Sequence, residues 1–170
     1  MSNRELVVVV GVDGSPDSLV ALLHAFREAS ALGGSVEVVT AWRRTAASGV
    51  KNEQILAAAG RRWAVRAQSE VVAHATRFAV QVPPLASVIV EGDPARALAR
   101  AGEGAACIVL GKRDPLAAAS DSIRERCMAL ATCPVVVVPD VDVIENGATQ
   151  AQPLLLHLVG ATEGGSHDFG

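Results

Sequence analysis

The chain predicts an α/β fold, a three-layer α/β/α sandwich around a five-stranded, doubly wound parallel sheet. Three observations predict it. Apolar runs alternate with longer stretches of helical periodicity, the pattern of βαβ units. Those runs are rich in Val, as strands covered on both faces tend to be. Half of the residues are hydrophobic but only 3% are aromatic and none is Tyr, so the core is aliphatic. A length of 170 residues suits one domain.

The first strand is Leu6 to Val12, nearly all Val. Ser15-Pro16 then opens a helix, with Ser as N-cap and Pro at the first helical position. Leu19, Leu22, Leu23 and Phe26 recur at helical spacing, and Gly33-Gly34 ends the helix. Ser35 to Trp42 is the second strand, and the small, polar stretch from Arg43 to Val50 reads as a loop. A long helix follows from about Asn52 to Phe78, with Leu56, Trp63, Ala67, Val71, Ala75 and Phe78 as its expected buried stripe and Gly60 as a weak point.

Pro83-Pro84 breaks the chain before a third strand, Leu85 to Glu91. Gly92-Asp93-Pro94 restarts a helix to about Glu103, with Asp93 as N-cap. Cys107 to Leu110 is the fourth strand and Gly111 to Ala119 a loop. A helix from Asp121 to Ala131 and a fifth strand from Pro134 to Val138 complete the pattern. The domain is therefore expected over 1–140. Residues 141–170 read as an extension: a linker, an apolar segment at 153–159 and a disordered end. The apolar segment needs burial, either on the domain as an extra element or against a second copy.

Composition excludes several classes. Net charge is −3 and only Lys51 and Lys112 are lysines, so no basic stripe faces a nucleic acid. No run of about 18 apolar residues exists to span a membrane, and the N-terminus reads as a strand and not as a signal peptide. Cys107, Cys127 and Cys133 have no framework spacing, which predicts reduced thiols and a cytoplasmic location. His24, His74, His157 and His167 fall in different stretches without metal-ligand spacing.

In an open α/β sheet, ligands sit beyond the carboxyl ends of the strands. The residues there are Asp13-Gly14-Ser15, Ala41-Trp42, Gly92-Asp93 and Gly111 to Ser122. Asp13 ends an apolar strand, where a carboxylate can accept from a ribose hydroxyl or help to hold Mg²⁺. It can also simply make the turn, although Ser15 is better placed to cap the helix.

Three segments together resemble the universal stress protein family: Val9-Val10-Gly11-Val12-Asp13-Gly14-Ser15, Glu91-Gly92-Asp93-Pro94, and Cys133-Pro134-Val135-Val136-Val137-Val138. They occur in the family's order over roughly residues 5–140. The resemblance implies a strand order of 3-2-1-4-5 and a homodimer through the fifth strand, to which the C-terminal segment can add. It also implies a regulatory or binding protein of the stress response that holds ATP or AMP, with Mg²⁺. By resemblance the nucleotide-binding residues are Asp13, Gly14, Ser15, Ala41, Gly92, Gly111 and Ser122.

The chain departs from the family's glycine pattern after the fourth strand, Gly-x2-Gly-x9-Gly-Ser/Thr. Gly111 matches the first glycine, but Asp114 holds the second position. Counting back from Cys133-Pro134, Asp121-Ser122 stands where Gly-Ser is expected, and the loop is three residues shorter. The glycines let backbone N–H groups approach phosphate. A carboxylate instead repels it, by roughly 4 kcal/mol for unit charges about 4 Å apart at an effective dielectric near 20. Lys112, Arg113 or Mg²⁺ can offset part of this. Triphosphate binding is therefore expected to be weakened or lost, leaving room for a residual AMP-like or altered ligand.

Two other readings remain open at this level. One is a dimeric interaction module without a ligand. The other is an ATP-splitting enzyme, because Gly14, Asp17 and Ser18 fit part of a pyrophosphatase-type loop, Ser-Gly-Gly-x-Asp-Ser. No nucleophile–base pair is evident, so no catalytic residue is expected.

Overall fold

The structure, a computed structural model, describes residues 6–44, 53–112 and 122–139. All of them belong to the unit Met1–Asp140. The predicted loop at 45–50, the stretch 113–121 with Asp114, Pro115 and Asp121, and the extension 141–170 with its apolar segment lie outside the described residues.

The elements run β1 (Val7–Gly11), α1 (Pro16–Leu32), β2 (Ser35–Trp42), α2 (Glu53–Phe78), β3 (Leu85–Glu91), α3 (Pro94–Ala101), β4 (Cys107–Gly111), α4 (Ile123–Leu130) and β5 (Val135–Val138). The five strands form one parallel sheet in the order β3-β2-β1-β4-β5. β1 lies at the centre, in register with β2 (Val8↔Val36) and with β4 (Val8↔Cys107). Val8, Val9 and Val10 are completely buried, as a strand covered on both faces requires.

The helix boundaries follow from local chemistry. Ser15 Oγ accepts from the Ser18 N–H at 3.2 Å and Pro16 starts α1. Gly33, at φ 65°, ends it, and the Gly34 N–H reaches back to the Ala29 carbonyl at 2.8 Å. Only Gly adopts that left-handed turn without penalty. Asp93 caps α3 by accepting from the Arg96 N–H at 3.1 Å.

One face of the sheet packs against α1 and α2 through Leu22, Phe26, Val71 and Ala75 over Val8, Val10, Val36 and Val38. The other packs against α3 and α4 through Ala95, Leu98 and Cys127 over Val9, Val39 and Ile108. Phe26 is the largest fully buried side chain, and its replacement by Ala would cost about 3–5 kcal/mol.

The buried stripe of α2 differs from the expectation. Ala67, Val71 and Ala75 are buried as expected, but Leu56, Trp63 and Phe78 are 36%, 54% and 68% exposed. The inward face is Ala64, Ala67, Gln68, Val71 and Ala75. It is mostly small, so the long helix lies flat on its neighbours while the bulky side chains flank the contact. Gln68 is the polar member. Its amide donates to the Val38 and Val88 carbonyls at 3.0 and 3.2 Å, which satisfies it in the interior. Gly60 is not a weak point either: a Cβ there would come within 2.9 Å of the Trp42 ring, so the missing side chain is what lets Trp42 tuck against α2.

No helix among the described residues is long and apolar enough to cross a membrane.

Candidate functional site

The site forms where the sheet's carboxyl edge meets the starts of three helices. β1 ends at Gly11, and the backbone is then held in line. The Val12 N–H donates to the Val39 carbonyl at 3.0 Å, and the buried Thr40 hydroxyl donates to the Val12 carbonyl at 2.7 Å. Asp13 follows, exposed, and its Oδ1 accepts from the Ser15 N–H at 2.9 Å. Asp13 therefore makes the turn into α1, so it carries more of the local structure than the helix cap at Ser15 alone suggested. Its second oxygen makes no hydrogen bond to another described residue.

A cleft of about 130 Å³ opens above this turn. Asp13, Ser15 and Ser18 form one wall, and Val39 and Ala41 from β2 the next. Gly111 at the end of β4, Pro94 and Leu98 from α3, Trp63 from α2, and Ile123 and Arg124 from α4 complete it. Four of the expected residues, Asp13, Ser15, Ala41 and Gly111, thus line a single cleft. Gly14, at φ 87°, and Ser122, the N-cap of α4, flank it, and Gly92 lines the neighbouring groove. The Ser122 hydroxyl is buried and has no hydrogen-bond partner among the described residues.

Gly111 has a packing reason of its own. A Cβ at this position would lie 2.8 Å from the Asp17 carbonyl oxygen, so β4 passes too close to the first turn of α1 for any side chain. Trp63, Pro94, Leu98 and Arg124 were not among the expected site residues. Trp63 and Arg124 come from α2 and α4, and the fold alone brings them to the carboxyl edge.

A second, wider groove of about 740 Å³ runs along the β2–β3 side of α3, over Val39, Val88 and Val90, with Arg96 and Arg100 on its rim. Between groove and cleft stands Asp93. Its carboxylate meets the guanidinium of Arg43 and that of Arg126, the latter at 2.8 Å. Burial alone would raise this carboxyl, but the Arg96 N–H and then the two guanidinium groups more than offset it and hold it below its usual range. Beside it, Arg44 Nε donates to Glu91 at 3.0 Å. Among the described residues no three His, Cys, Asp or Glu side chains stand close enough together to hold a metal.

The family model described as the universal stress protein family matches residues 7–139. The chain belongs to the universal stress protein family. Its fold agrees with solved structures of other members. A universal stress protein from Lactobacillus plantarum is 19% identical, with a TM-score of 0.64, over 79% of this chain and 98% of that one. A family protein from Burkholderia pseudomallei is 27% identical, with a TM-score of 0.61, over 82% and 100%. A universal stress protein solved in complex with cAMP is 23% identical, with a TM-score of 0.60, over 78% and 95%. A search of curated proteins finds no match.

Proposed function

We propose that this universal stress protein is a binding and regulatory member of the stress response whose cleft takes an adenine nucleotide with a short phosphate tail. The observation that carries this is the convergence of Asp13, Ser15, Ala41 and Gly111 on one cleft at the carboxyl ends of the central strands. In this reading the base lies against Ala41 and the free oxygen of Asp13 accepts from a ribose hydroxyl. The similar protein solved with cAMP supports a ligand of this class.

Two features argue for a short tail. The cleft is small beside the roughly 300–1,000 Å³ of ordinary small-molecule sites, so only part of a nucleotide is enclosed. Asp114 and Asp121 replace the glycines that would cradle further phosphates, and each adds a negative charge. Mg²⁺ would enter on the phosphate oxygens, with Asp13 as the carboxylate that lines the cleft among the described residues.

Isothermal titration with AMP, ADP and ATP, with and without Mg²⁺, tests this reading. AMP binding that Asp13→Ala weakens, together with weaker ATP binding, is the expected outcome. Tight ATP binding would overturn the short tail, and no binding by any nucleotide would overturn the site.

A homodimer through β5 is part of the same proposal. Among the described residues β5 pairs on one side only, with β4, and Val137 is 36% exposed on it. An apolar strand edge of this kind is a template for a second copy. If the nucleotide titrations fail, this edge favours the alternative, an interaction module without a ligand. Light scattering at micromolar concentration tests the dimer, and a monomer would overturn it.

A further inference from the structure

Trp63 and Arg124 line the cleft, yet neither belongs to the segments that carry the family resemblance. The indole is 54% exposed, although α2 has a buried face only one residue away at Ala64. It lines the cleft together with the apolar residues Ala41, Pro94 and Leu98. A rigid aromatic plane left beside such a surface is suited to stack on a second plane.

Arg124 is the basic residue that lines the cleft among the described residues. Arg126, two positions on, is held by Asp93, and Arg43 and Arg44 are held by Asp93 and Glu91. No described carboxylate pairs with Arg124. A guanidinium offers a planar, always charged fork of donors that matches a phosphate group. Among its described residues the cleft therefore presents an aromatic plane, an acceptor at Asp13 and one cation.

We propose that Trp63 and Arg124 are the specificity residues of this site: Trp63 stacks on the base and Arg124 takes a single phosphate group, so the site selects a nucleoside monophosphate. This rests on the reading of the cleft as an adenine-nucleotide site. It goes beyond that reading by replacing the lost glycine cradle with one side chain, which neutralises one phosphate and offers nothing to a second or third.

The test is calorimetric titration of adenosine, AMP and ATP into the wild type, Trp63→Leu, Arg124→Gln and Arg124→Lys, with circular dichroism to check that each variant is folded. Wild type is expected to bind AMP more tightly than adenosine or ATP. Trp63→Leu is expected to weaken adenosine and AMP alike, by about 5- to 150-fold, the range that base–aromatic stacking carries. Arg124→Gln is expected to bring AMP down to the affinity of adenosine without changing adenosine, and Arg124→Lys to restore part of the difference. If AMP binds and neither Trp63→Leu nor Arg124→Gln changes it, the assignment of these two residues is overturned while the adenine-nucleotide reading stands. If no nucleotide binds the wild type, that reading falls and takes the assignment with it.

Discussion

Arg126 on α4 lies 2.8 Å from the carboxylate of Asp93, which also caps α3. One side chain thus ties together the starts of the two helices that cover the same face of the sheet. Through Arg43 it also reaches the stretch just past β2. The cleft lies among these elements, so Asp93 positions its walls without lining it.

Asp93→Ala removes the cap and both ion pairs at once. A lost N-cap costs about 1 kcal/mol. The partly exposed ion pairs add little to that, since such pairs contribute about 0–1 kcal/mol. The pH dependence has a definite sign. The folded-state carboxyl lies below its usual value, so its contribution is fully present above the unfolded value near 4 and is lost as pH falls through the folded one. Urea midpoints measured from pH 6 to pH 2.5 should fall less steeply for Asp93→Ala than for wild type. Equal slopes would count against the clasp.

Gly60→Ala separates propensity from packing. In an open helix this change stabilises by about 1 kcal/mol. Here the added methyl meets the Trp42 ring at 2.9 Å, and Trp42 is itself buried. Overpacking of this kind costs about 1–3 kcal/mol, so the variant should be the less stable one by thermal melting. A higher melting temperature would show that the ring moves aside freely.

His24 supplies a second pH effect near neutrality. Burial lowers its pKa, and Glu28, with Oε1 3.7 Å from Nε2, only partly opposes this. Its buried Nε2 has no hydrogen-bond partner among the described residues. The unfolded chain then takes up a proton before the folded one does, so stability should fall as pH drops below about 6.5. His24→Leu should flatten the urea midpoint between pH 7.5 and 5.5. An unchanged slope would assign the effect elsewhere.

The thiols should be inert while the protein is folded. Burial pushes Cys107 up to about 12 and Cys127 up to about 11, and Cys133 is raised as well, again chiefly by burial. A thiolate is the reactive form, so alkylation at pH 8 should be slow in buffer and fast in urea. Fast labelling of Cys127 in buffer would show that α4 opens.

The strands were readable because each is an apolar run bounded on at least one side by Gly or Pro, and β2 and β3 came out residue for residue. The caps at Ser15 and Asp93 and the stop at Gly33 were readable for the same reason, since their chemistry is local. The inward face of α2 was readable only in part: Ala67, Val71 and Ala75 fell on the expected stripe and are buried, while Leu56, Trp63 and Phe78 are not. Periodicity assigns large apolar residues to the interior, whereas here small residues at 64, 67 and 75 make the contact and Trp63 falls beside it. The site divides the same way. Asp13, Ser15, Ala41 and Gly111 sit at strand ends that the sequence marks, while Trp63 and Arg124 reach the cleft only through tertiary packing.

The register at the centre of the sheet has a consequence for how the chain is made. Val8 pairs with Cys107, so the innermost strand waits for its second neighbour until about a hundred further residues have been synthesised. Until then a run of valines is covered on one edge at most. Pairings this far apart in sequence form slowly. The nascent chain therefore carries a partly unpaired apolar strand until β4 arrives, the kind of exposed edge that makes incomplete folds prone to aggregate.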